Sequence, residues 1–117
     1  MKQEIYMARE IETKCIHLEE EENSINHYGA ISYPIYQSAT YAHPGVGQST
    51  GYDYSRLQNP TREHLEKTVA SLENGIDALA FSSGMAAITL MMELFKPGDH
   101  LIVDADLYGG SIRLFNH

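Results

Sequence analysis

The chain has 117 residues, 43% hydrophobic and 21% charged, which suits one small folded domain or a piece of a larger one and not a disordered segment. Its 16 acidic and 8 basic residues give a formal net charge of -8, so no basic field exists to neutralise nucleic-acid phosphates or an anionic membrane. That balance does not bear on one small anion held in a local site.

A single cysteine, Cys15, excludes an internal disulfide framework and fits a reducing, cytoplasmic setting. No apolar run approaches the roughly 18 residues that a spanning helix needs. The opening MKQEIYMARE is too charged for a secretory signal. The first 26 residues are charge-rich, and Ile5, Ile11, Cys15, Ile16 and Leu18 give only a partial helical stripe. The acidic run from Glu19 to Glu22 reads as a solvated face or turn.

Over residues 28–53 the composition changes. Tyr28, Tyr33, Tyr36, Tyr41 and Tyr52 alternate with Gly, Pro, Ser and Thr, and Pro34 and Pro44 forbid a long helix. With few apolar positions of its own, this stretch reads as an extended arm that packs against something else.

Regular structure resumes at Asn59, a favoured helix cap, with Pro60 at the first helical position. Leu65, Val69 and Leu72 mark one apolar face, and Gly75 after Asn74 supplies the stop. Residues 76–81 read as a short buried strand, followed by the junction Ser82-Ser83-Gly84 and a helix from Met85 to about Phe95. Residues 96–99 form a turn by residue type, and residues 100–104 read as a second buried strand. A loop holds Tyr108, Gly109 and Gly110, and a further helix begins near Ser111. This alternation indicates an α/β layered domain with a parallel sheet. Two strands are too few for a stable sheet of that class, so the sheet is expected to be incomplete.

Three places offer chemistry. A strand feeding a helix through Ser82-Ser83-Gly84 presents unpaired N–H groups and a partial positive charge, an arrangement that binds anions. Spacing alone leans toward a plain Ser-capped helix with Gly84 for tight packing. Neither GxGxxG nor GxxxxGK[ST] is present, so neither a dinucleotide site nor a nucleotide P-loop is supported. Tyr54 and Arg56 are suited to a phosphate through a phenol and a forked guanidinium, or form a surface arginine with a packed tyrosine. Tyr108 sits where α/β proteins place ligand contacts and can stack on a flat ring, or is a packed loop residue.

Other chemistries find no support. The six histidines form no HxxxH or Cys/His pattern, so no metal site is expected. Ser82 and Ser83 lack the GxSxG elbow, and Cys15 carries no mark of a reactive thiolate. Lys2, Lys14, Lys67 and Lys96 fall in a tail, a charged region, a helix and a turn, none at the end of a buried strand.

Taken together, SYPIYQSATY (32–41), GYDYSRLQNPT (51–61), SSGMAAI (82–88) and LYGGSIRLF (107–115) resemble cystathionine γ-synthase and the related trans-sulfuration enzymes. These are pyridoxal-phosphate (PLP) enzymes of the aspartate-aminotransferase fold type, fold type I. The resemblance covers nearly the whole chain, from about Thr13 to His117, with four motifs in order. It implies an arm over residues 1–58 that contacts a neighbouring subunit, and over residues 59–117 the beginning of the large PLP-binding α/β domain.

By that resemblance, the backbone N–H groups of Gly84 and Met85 hold the cofactor phosphate. Tyr54 and Arg56 reach the phosphate bound in the adjacent subunit. Tyr108 stacks on the pyridine ring and assists substrate exchange at the cofactor. The resemblance also implies small amino-acid substrates and a homotetramer built as a pair of dimers. The Schiff-base lysine and the aspartate that pairs with the pyridine nitrogen lie downstream in this family, so these 117 residues alone are expected to be inactive. A smaller departure is Leu18, where the family often has glycine.

The favoured reaction is γ-replacement on an activated homoserine ester by cysteine. Cystathionine β- or γ-lyase, O-acetylhomoserine sulfhydrylase and methionine γ-lyase are the alternatives. The last commonly carries cysteine at the position of Gly110, which disfavours it. A reading from another class is a non-catalytic phosphate-binding or assembly module.

Overall fold

The computed structural model describes residues 10–17 and 30–116. The acidic run from Glu19 to Glu22, Leu18 and Tyr28 lie outside the described residues. Four helices follow in order: α1 (Ile11–Ile16), α2 (Pro60–Leu72), α3 (Gly84–Met92) and α4 (Gly109–Phe115). The chain divides into two units, one ending at Leu79 and the other beginning at Ala80.

In the first unit, α1 lies against α2. The expected start of α2 is present: Asn59 Oδ1 accepts from the N–H of Thr61 at 2.8 Å, and Pro60, fully buried, occupies the first turn. Glu63 in that turn complements the positive end of the helix. Two ion pairs run along its surface, Arg62 with Glu66 at 3.5 Å and Lys67 with Glu63 at 2.7 Å, each one turn apart.

The stop differs from expectation by one residue. Asn74, not Gly75, takes the left-handed conformation, with φ 54°. The N–H of Gly75 donates to the carbonyl of Ala70 at 2.8 Å and that of Asn74 to Ser71 at 3.5 Å, the paired bonds of a Schellman ending. Asparagine tolerates this conformation because its short polar side chain clashes little with the backbone.

The arm pairs with itself at one antiparallel bridge, Thr40 with Tyr54. There the N–H of Tyr41 donates to Asp53 at 3.1 Å and that of Ser55 to Ala39 at 2.9 Å. It also lies on α2. The N–H of Tyr36 donates to Thr61 Oγ1 at 2.8 Å, and Tyr33 stacks on His64 with centroids 3.8 Å apart. The Tyr52 hydroxyl donates to Glu63.

In the second unit, Ser83 caps α3 by accepting from the N–H of Ala86 at 3.2 Å. The helix ends at Met92, short of the expected Phe95. There the N–H groups of Glu93, Leu94 and Phe95 donate three residues back, and the last turn tightens. Gly98 completes the following turn at φ 103°. α4 begins two residues before the expected Ser111.

The two expected strands are not realised as buried, paired strands. Neither residues 76–81 nor residues 100–104 join a ladder among the described residues, and Ile76 and Ile102 are 106% and 97% exposed. A strand is buried and paired only when neighbours flank it, and none does so among the described residues. For the same reason the α2 stripe of Leu65 and Val69 is half exposed, at 53% and 43%. Burial among the described residues is confined to Pro60, Ala70 and Ser111.

Candidate functional site

The junction at residues 82–84 folds as a helix start with spare donors. Ser83 is extended, at φ -155° and ψ 155°, and its hydroxyl takes the N–H of Ala86. Its carbonyl takes the N–H of Ala87 at 3.2 Å. Among the described residues no acceptor meets the N–H of Gly84 or Met85. Two donors at the positive end of α3 are therefore available to an anion.

Gly84 faces open space: a Cβ built there would meet nothing within 4 Å. Its backbone is helical, so neither conformation nor packing demands a glycine at this position. The missing side chain instead leaves the backbone open to close approach.

Tyr108 and Met85 meet at Gly110. A Cβ at that glycine would lie 2.7 Å from Tyr108 Cε1 and 3.1 Å from Met85 Sδ. The buried Ser111 hydroxyl donates to Met85 Sδ at 3.7 Å, which ties α4 to α3. Tyr108, the residue before α4, remains 74% exposed. The second unit thus brings the Met85 side chain, from the first turn of α3, and the Tyr108 ring to the same glycine. Its supporting residues, Gly110 and Ser111, carry a signal in sequence only as small residues after Tyr108.

Tyr54 and Arg56 lie in the first unit, on a turn closed by the N–H groups of Leu57 and Gln58, which donate to Tyr54 O at 2.9 and 3.0 Å. The Arg56 guanidinium sits 5.0 Å above the Tyr54 ring. Among the described residues it pairs with no carboxylate. Arg62 differs: its guanidinium donates to the carbonyl of Leu57, and its two amino nitrogens and Nε are all engaged.

The most perturbed titrating groups lie where the arm crosses α2. Bonds from Lys67 and then Tyr52 hold the Glu63 carboxyl below its ordinary range. Burial, followed by the bond to Glu63, pushes the Tyr52 phenol up. Burial and the nearby Lys67 lower His64, and burial raises Tyr33. Among the described residues no group of three or more His, Cys, Asp or Glu side chains is placed to hold a metal ion. No helix among them is long and apolar enough to cross a membrane.

A family model described as "Cys/Met metabolism PLP-dependent enzyme" matches residues 12–117. The chain is 51% identical over 111 residues to a cystathionine gamma-synthase/O-acetylhomoserine (thiol)-lyase of Bacillus subtilis (strain 168), covering 95% of this chain and 29% of that protein. It is 57% identical over 86 residues to a cystathionine gamma-lyase of the same organism, covering 74% and 23%. The crystal structure of metB from Corynebacterium glutamicum superposes with a TM-score of 0.80 at 41% identity, over 94% of this chain and 29% of that one. The chain therefore spans less than a third of the length of the relatives it matches.

Proposed function

The chain belongs to the Cys/Met metabolism PLP-dependent enzyme family, and on that premise we propose that it supplies the phosphate-holding part of a trans-sulfuration enzyme. Its fold class is α/β, aspartate-aminotransferase-like (fold type I), with an incomplete sheet. Within the family we favour cystathionine γ-synthase, which joins an activated homoserine ester to the thiol of cysteine. The observation that carries the reading is the start of α3. Among the described residues the N–H groups of Gly84 and Met85 meet no acceptor, and a Cβ at Gly84 would meet nothing within 4 Å. Spare donors and an open approach at a helix start suit the phosphate ester of PLP.

Bound there, PLP supplies an electron sink for bonds at the substrate's amino-bearing carbon. This chain's residues do the holding. Gly84 and Met85 donate their backbone N–H groups to phosphate oxygens, and the positive end of α3 favours the dianion. Tyr108 would offer its exposed ring for stacking, and its hydroxyl would relay a proton as substrates exchange.

Tyr54 and Arg56 serve the phosphate in an adjacent subunit of a homo-oligomer. Residues 1–58 act as the arm that carries them there, and residues 59–117 begin the cofactor domain. The turn that carries both residues, closed on the Tyr54 carbonyl with the Arg56 guanidinium over the Tyr54 ring, supports this role, since it presents a phenol and a forked guanidinium together.

The test is product analysis of the holoenzyme given O-acetylhomoserine and cysteine. Cystathionine formation supports the synthase reading. Release of an oxoacid, ammonia and a thiol from cystathionine instead assigns a lyase. No reaction with either substrate, together with no PLP binding, overturns the enzyme reading.

A further inference from the structure

The turn that presents Tyr54 and Arg56 is built by two side chains to which the anion-binding role gives no part, Asn59 and Arg62. Asn59 works from both ends of its amide. Its Oδ1 accepts from Thr61 N–H at 2.8 Å and closes the start of α2. Its Nδ2 lies 3.0 Å from Ser55 Oγ, 3.2 Å from the Tyr36 carbonyl and 3.2 Å from the Tyr41 hydroxyl. Ser55 Oγ passes the link on, donating to the carbonyl of Ser38. A serine or aspartate caps a helix as well as asparagine does. Aspartate has no donor to add and serine only one short hydroxyl, whereas the amide nitrogen reaches three acceptors beyond the cap, so capping alone does not account for the residue.

Arg62 holds the same turn from the next turn of α2. It donates to the Leu57 carbonyl, and Nη1 lies 3.5 Å from the carbonyls of both Ser55 and Arg56. Glu66 faces its Nε at 3.5 Å. The guanidinium is thus engaged by three consecutive carbonyls, including that of Arg56 itself. One arginine fixes the backbone from which the other projects.

We propose that Asn59 and Arg62 are positioning residues for the Tyr54–Arg56 pair. They fix residues 54–57 before any phosphate arrives, so binding does not have to order the turn. The inference rests on the reading of Tyr54 and Arg56 as phosphate ligands.

The experiment measures dissociation constants for PLP and for pyridoxal, which lacks the phosphate, on the full-length enzyme stripped of cofactor and on its Asn59→Ser, Arg62→Gln and Arg56→Gln variants. Asn59→Ser keeps an oxygen to cap α2 and removes the amide donors. Each positioning variant is expected to lose about tenfold in PLP affinity, about the effect of one hydrogen bond, with pyridoxal affinity unchanged. A merely structural role would weaken both ligands together, and that result overturns the proposal. Arg62→Lys, which keeps the charge without the fork, is expected to recover only part of the loss. If Arg56→Gln leaves the preference for PLP intact, the phosphate reading itself fails. If Arg56→Gln loses that preference while Asn59→Ser and Arg62→Gln keep it, only the positioning claim fails. Should Asn59→Ser not fold, Arg62→Gln and Ser55→Ala decide by the same readout.

Discussion

The ring of Tyr108 occupies the space that a side chain at Gly110 would need: a Cβ there would lie 2.7 Å from Cε1 and 3.1 Å from Cδ1. The glycine is thus what allows the ring to lie over residue 110, where Met85 Sδ also approaches. Gly110→Ala is expected to displace the Tyr108 ring, since that side chain is largely exposed and yields more readily than backbone. The folding cost should stay within about 1 kcal/mol, because the ring has room to move. A changed set of nuclear Overhauser contacts between the Tyr108 ring and residue 110 checks this; an unchanged set would refute it.

Tyr108→Phe separates stacking from proton relay. It keeps the ring and removes the hydroxyl, so cofactor affinity should change little while substrate exchange slows by about tenfold or more. Stopped-flow measurement of the exchange step reads this. An unchanged rate would show that the hydroxyl takes no part.

Glu63 links the arm to α2 through Tyr52 and Lys67. Its carboxyl is held below its ordinary value of 4.5 in the folded state. The stability this contributes is present above 4.5 and is lost as pH falls through the lower folded value. Glu63→Gln should therefore lower the melting temperature at neutral pH and matter progressively less in acid. The neutral-pH effect is expected to be no more than about 1 kcal/mol, since the pair is partly exposed and screened. An effect that is constant with pH would show that the carboxylate contributes nothing through its charge.

Asn74 holds a left-handed conformation, at φ 54°. Asn74→Ala should destabilise by about 1 kcal/mol, while Asn74→Gly should be neutral or slightly favourable. Denaturant melts of the two variants give the comparison. Equal melts would contradict the helix ending described above.

What was legible in sequence was what short-range chemistry decides. Asn59 and Pro60 announce the start of α2 because cap and first-turn preferences are local, and Ser83 announces α3 for the same reason. The end of α2 was misplaced by one residue because asparagine and glycine both tolerate the left-handed region. Burial was the least legible property. Apolar runs at 76–81 and 100–104 look like strands, yet a strand becomes one only through partners far along a chain. The candidate site divides the same way. Gly84, Tyr108, Tyr54 and Arg56 stand out in sequence, whereas the part played by Arg62 does not, because a helix arginine carries no local mark of the carbonyls it will meet. Its three carbonyl contacts emerge only in the fold.

The central claim is that the start of α3 holds a phosphate ester, and its most direct test is amide NMR of Gly84 and Met85. Titration with PLP is expected to shift both N–H resonances downfield in a saturable way, while pyridoxal leaves them in place. Saturable PLP binding that leaves both amides unmoved would contradict the account.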